Sequence, residues 1–116
     1  MIILLAIAIG SLFGGATYLI LRRSVVKLIL GLIMLSHGVN LLIFTMGDGV
    51  RRGGPPLVDA SGQPPAGSAD PLVQALILTA IVISFGFTAF VLALAYRSNQ
   101  AAGSDDLDDL STTDRL

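Results

Sequence analysis

The sequence predicts an all-α membrane protein of three transmembrane helices, with its N-terminus outside and its C-terminus in the cytoplasm. Composition is the first observation behind this: of 116 residues 53% are apolar and 13% charged, and the mean hydropathy is +0.82. A second is the pattern. Three apolar runs, Met1–Leu21, Leu28–Met46 and Leu72–Tyr96, each match the length that crosses a hydrocarbon core of about 30 Å at about 1.5 Å per residue. Barrel strands would alternate in polarity and span in about 10 residues, so a transmembrane barrel does not fit. The third observation is the placement of charge: the chain has no Glu, and every Asp lies outside the three runs.

The first span, residues 1–22, enters directly from Met1 into Ile-Ile-Leu-Leu, with no basic segment before it. Its cations, Arg22 and Arg23, follow the apolar run, and no small-residue cleavage pattern comes after them. It therefore reads as an uncleaved span inserted with the N-terminus outside, not as a removable leader. Residues 23–27 form a short basic loop, whose Arg23 and Lys27, with Arg22 at the end of the first span, set the topology and meet anionic headgroups. With Arg97 they outweigh Arg51 and Arg52 in the other loop, which places the short loop and the C-terminus in the cytoplasm.

The second span, residues 28–46, is expected to end at Gly47, which can take a left-handed conformation at no steric cost. Residues 47–70 are rich in Gly and Pro and read as an external loop with no folded domain. Asp70-Pro71 starts the third span, residues 71–97: the Asp accepts free N–H groups and Pro suits the first helical position. Tyr18 and Tyr96 fall near span ends on the cytoplasmic side, where a ring with a polar tip is favoured. The acidic tail, residues 98–116, has the composition of a disordered segment.

Several function classes drop out. The cations are too few and scattered for nucleic-acid binding. Without cysteine there is no disulfide framework or thiolate site, and one His with no intramembrane carboxylate does not make a metal site. No nucleophile with its base, acid–base pair or nucleotide loop is present, so no cofactor and no enzyme activity are expected. A protein that pumps ions alone normally needs a carboxylate within the membrane, and this chain has none there.

The candidate polar positions are few. His37 and Asn40 stand three apart and share a face of the second span. Histidine changes charge near neutral pH, so the pair could relay a proton. A structural reading, a hydrogen bond across a helix interface, is favoured because no second titratable group lies nearby. Gln74 opens the third span, where it faces a partner, a hydrated cavity or headgroup water. Thr79, Ser84 and Thr88 are expected to bond mainly to their own helix backbone. Small residues at Gly10, Gly14, Gly31, Gly38 and Gly86 are expected to allow close helix packing, including packing against other subunits.

Two segments make the chain resemble a known family. Leu30-Gly-Leu-Ile-Met-Leu-Ser-His-Gly-Val-Asn-Leu-Leu and Asp70-Pro-Leu-Val-Gln-Ala-Leu-Ile-Leu-Thr-Ala-Ile-Val-Ile-Ser-Phe-Gly are similar to the second and third spans of the C-type subunits of Mrp-type monovalent cation/proton antiporters. That family is in turn similar to the K-type subunits of proton-pumping NADH:quinone oxidoreductases. The resemblance implies a small subunit of a cell-membrane hetero-oligomer that exchanges Na⁺ or another monovalent cation for H⁺. It implies packing between larger antiporter-like subunits, which carry most of the ion path, and a share in a hydrated route lined by His37, Asn40 and Gln74. The resemblance to the K-type relative also implies a departure: its glutamates in the second span and early in the third are missing here, where the aligned positions read Ile33 and Gln74. Two other readings stay open: a K-type subunit of a quinone-reducing complex, and a self-assembling, holin-like pore.

Overall fold

A computed structural model describes residues 1–47 and 54–108. The chain forms α1 (Ile2–Ile20), α2 (Val25–Met46) and α3 (Pro71–Ala102), each long and apolar enough to cross a membrane. α2 lies in the middle, packed on α1 along one side and on α3 along the other, and α1 and α3 do not meet. The result is a layer one helix thick, with extents of 64 × 32 × 15 Å.

Such a layer cannot enclose a core. Only Ala16 and Ile29 are buried apolar side chains among the described residues, joined by Gly31 and Gly38 of α2. The accessible surface is 8433 Å², against about 6,000 Å² for a compact soluble monomer of this mass. Large apolar side chains are exposed along all three helices, which is the pattern of helices solvated by lipid and by other membrane proteins.

The helix limits have local causes. α2 begins at Val25, inside the segment expected as loop, because Ser24 is its N-cap and accepts the Lys27 N–H at 3.4 Å. α3 begins where expected: the Asp70 carboxylate accepts the Leu72 N–H at 2.9 Å and Pro71 fills the first position. Its 32 residues run about 48 Å, well beyond a hydrocarbon core of about 30 Å, so the helix continues past Arg97 to Ala102. Gly103 then ends it in the left-handed conformation (φ 70°), donating its N–H to the Asn99 carbonyl at 2.8 Å.

Gly47 departs from expectation. It closes α2 at φ −58°, not in the left-handed region. Space is what fixes glycine there, since an added Cβ would lie 2.6 Å from a methyl of Val73 at the start of α3.

The tail also departs from the disorder its composition suggests, at least as far as Asp108. It folds back onto the turn between α1 and α2. Val25 N–H donates to the Asp105 carbonyl at 3.0 Å, and Leu107 N–H donates to the Arg23 carbonyl at 2.7 Å. The Asp105 carboxylate accepts the Val26 N–H at 3.2 Å and the Ser24 hydroxyl, and Asp108 pairs with Arg23. Asp105 and Ser24 together therefore satisfy the first three free N–H groups of α2. Arg51 and Arg52, weighed in the topology argument, and tail residues 109–116 lie outside the described residues.

Candidate functional site

Two helix seams carry part of the set of polar and small residues singled out in the sequence. Between α1 and α2 the seam is built on glycine. A Cβ at Gly31 would lie 3.0 Å from the Ala16 carbonyl oxygen and 3.1 Å from the Ile20 nitrogen, so the helix backbones meet directly there. At Gly38 a Cβ would lie 3.2 Å from the Phe13 ring. Gly10, Gly14 and Gly86 face away from these seams, with no atom within 4 Å of an added Cβ.

Between α2 and α3 the seam holds a polar contact. The Ser36 and Ser84 hydroxyls meet at 2.6 Å, partly buried, at mid-span. This pair escaped the sequence reading, which expected Ser84 to bond to its own backbone. Thr79 does so, to the Ala75 carbonyl at 2.9 Å, but Ser84 faces another helix and finds the Ser36 hydroxyl. The detectable signal was the single serine that falls in the middle of each of the spans 28–46 and 71–97.

The serine pair divides two open grooves. One, of about 430 Å³, is lined by Leu32, Leu35, Val39, Ile83 and Phe87 beside the shared residues Ser36, Asn40, Ser84 and Thr88. The other, of about 220 Å³, brings His37 to the same shared residues, with Ile81 and Phe85 opposite. His37 and Asn40 thus lie on one groove, as their spacing predicts, with Asn40 half-buried and His37 exposed at the groove edge. Gln74 is exposed and lines neither groove. It stands about 10 Å along α3 from Ile81. The side chains of His37, Asn40 and Gln74 hydrogen-bond to no other described residue. The arrangement can hold a hydrogen-bonding group supplied from outside the chain. Among the described residues it contains no carboxylate to exchange a proton with His37, and no cluster able to hold a metal ion.

The basic turn forms a second, polar cluster at one end of the layer. Arg22 lies 4.4 Å over the Tyr18 ring and donates to its hydroxyl. Arg23 is paired with Asp108. Lys27 lines a hollow of about 670 Å³ with both arginines, Asp105 and Asp106, so acidic tail residues face the cations. At the opposite end, in the loop between α2 and α3, the hydroxyl and then the N–H of Ser61 hold the Asp59 carboxyl below its usual range.

Comparison with known proteins covers nearly the whole chain. Residues 3–115 match the family described as NADH-ubiquinone/plastoquinone oxidoreductase chain 4L. A relative in Alkalihalophilus pseudofirmus, described as the C-type subunit of a Na⁺/H⁺ antiporter, is 53% identical over 108 residues, 93% of each chain. One of the same description in Bacillus subtilis is 46% identical over 113 residues, 97% of this chain and 96% of that one. Among solved structures, a chain of the Mrp complex from a Dietzia species is 42% identical with a TM-score of 0.70, covering 88% of this chain and 73% of that one.

Proposed function

The chain belongs to the NADH-ubiquinone/plastoquinone oxidoreductase chain 4L family, and from its likeness to antiporter subunits we propose that it is the C-type small subunit of a multisubunit Na⁺/H⁺ antiporter in the cell membrane. The observation that carries this is 53% identity, across 93% of both chains, to an antiporter's C-type subunit. The fold is consistent with a subunit's role. A layer with two buried apolar side chains among its described residues gives most of its surface to its surroundings, and packing between larger subunits covers such a surface.

Within that assembly the chain's task is structural, and it adds a polar contact to the ion route. His37 and Asn40 offer hydrogen bonds at mid-span, and Gln74 offers one nearer the outer interface. The three spans hold no Asp or Glu, so carboxylates for proton exchange come from other subunits. The N-terminus lies outside, and the Arg22, Arg23 and Lys27 turn with the docked tail lies in the cytoplasm.

The family description itself favours one second reading, a subunit of a quinone-reducing complex. Absence of Glu from the spans weighs against it, because the K-type relative it would have to match carries glutamates there. Purification of a tagged chain from native membranes decides the matter. Large multi-span antiporter subunits should come with it, and membranes lacking the chain should lose Na⁺-dependent proton exchange. Recovery of the chain alone, or with redox subunits, would refute the proposal.

A further inference from the structure

The two broad faces of the layer differ in one respect: only one carries polar side chains, beyond those the two grooves share, that nothing among the described residues satisfies. The face with the larger groove presents Leu32, Leu35, Val39, Ile83 and Phe87. Beside Ser84 and Thr88, which line both grooves, its hydroxyl in this stretch of α3 is Thr79, four residues before Ile83 and returned to its own helix at the Ala75 carbonyl. On α1, Ser11 and Thr17 are likewise bonded to the Ala8 and Phe13 carbonyls, each at 2.8 Å. Apart from Asn40 and Thr88, which line both grooves, lipid can cover these side chains without leaving a polar group unpaired.

The other face carries His37 on α2, bordering the groove that Ile81 and Phe85 line from α3. Gln74 belongs to the same stripe, since it precedes Ile81 by seven residues and Phe85 by eleven, near-whole turns of helix. Neither side chain has a hydrogen-bond partner among the described residues. An imidazole left open to hydrocarbon at mid-span is costly, and lipid tails cannot relieve that cost, while Gln74 continues the same polar stripe toward the outer interface.

We infer that the His37 face is where a membrane-spanning helix of a neighbouring subunit seats, and that this helix presents a side-chain hydrogen-bond acceptor opposite His37. The spacing makes the partner more specific. Seven to eleven residues of α3 separate Gln74 from the level of His37, about 10–16 Å at about 1.5 Å per residue. A partner helix running alongside should therefore carry a second polar side chain two to three turns from the first. The inference rests on the proposal that the chain works inside a hetero-oligomer, and it adds which face meets the partner and what that partner offers.

Site-specific photocrosslinking in the assembled complex tests it. A benzophenone amino acid replaces Phe85, which lines the His37 groove, or Phe87, which lines the opposite one; both are exposed aromatic positions, so the probe fits either. Phe85 should give an adduct with another subunit, and the crosslinked segment should contain a side-chain acceptor within one turn of the adduct. His37→Leu should cut that adduct several-fold while His37→Gln, which keeps a donor, retains it. Lipid adducts alone at Phe85, an adduct to a second copy of this chain, or a partner segment with no acceptor would each overturn the inference. Equal adduct yields in His37→Leu and His37→Gln would do the same. Failure of the subunit proposal is separable, because the tagged chain would then purify without antiporter partners before any crosslinking.

Discussion

Replacing Asp105 by alanine should release the acidic tail from the turn between α1 and α2. The carboxylate accepts two hydrogen bonds at the N-terminus of α2, from the Ser24 hydroxyl and the Val26 N–H. Loss of an N-cap acceptor costs about 1 kcal/mol, and removing a negative charge from a helix N-terminus costs about 0.3–1 kcal/mol more. Both bonds are exposed, so about 1–2 kcal/mol is the reasonable total. That range corresponds to about a 5–30-fold rise in the undocked population. The competing contribution is the Arg23–Asp108 ion pair, whose side chains are 73% and 61% exposed. Surface pairs of this kind contribute about 0–1 kcal/mol, so the cap should outweigh the ion pair.

The chain has no cysteine, so Leu107→Cys supplies a single thiol on the docked strand of this subunit. When opening and closing are fast, its maleimide labelling rate in native membranes follows the open population, as proteolysis of opened states does. Asp105→Ala should raise that rate by about 5–30-fold, and Arg23→Gln by less than about 5-fold. High salt should remove most of the Arg23 effect and leave most of the Asp105 effect, because the first depends on a screened surface attraction. An Asp105→Ala rate equal to the parent's, or an Arg23→Gln effect larger than that of Asp105→Ala, would show that the capping argument is wrong.

Two further outcomes can be measured. Gly31→Ala should destabilise the α1–α2 seam by about 1–3 kcal/mol, since its Cβ would meet the Ala16 carbonyl at 3.0 Å. Gly15→Ala should be tolerated, because the Cβ would meet only the flexible end of Met34, at 2.7 Å; thermal melting of the purified complex distinguishes the two. In the loop between α2 and α3, Ser61→Ala should raise the Asp59 carboxyl toward its usual range, followed by carboxyl NMR titration. A lowered carboxyl favours the folded turn above the ordinary carboxylate pKa. That contribution fades as pH falls through the lowered value, so acid should loosen the turn later in the parent than in Ser61→Ala.

Much of this protein was legible from the sequence because lipid imposes one dominant requirement. A spanning backbone must satisfy its own polar groups, so apolar runs of the right length become helices whatever surrounds them. Asp70-Pro71 was equally clear, since a capping carboxylate and a fixed φ act within three residues. Contacts distant in sequence stayed hidden. Ser36 and Ser84 are 48 positions apart, and Ser24 and Asp105 are 81 apart, so no local pattern reports either pair. The tail read as disordered because acidic composition measures how little a segment can bury. Its docking depends on hydrogen bonds to a helix terminus, which composition does not register. His37 and Asn40 reached one groove because three residues is nearly one helical turn, whereas the isolation of Gln74 from that groove was a matter of depth along α3.

Thinness explains why a chain with so little internal packing keeps these particular contacts. α1 and α3 never meet, so the geometry of the layer depends on the two seams of α2 and on whatever closes its ends. The α1–α2 seam is held by backbone approach at Gly31, while α2 and α3 approach one another less extensively, around one hydroxyl pair. The second seam is therefore the weaker hinge, and it is the one that carries His37. Docking of Asp105 onto the start of α2 ties the far end of α3 back across that hinge. Release of the tail should therefore matter more for the width of the His37 groove than for the α1–α2 pair.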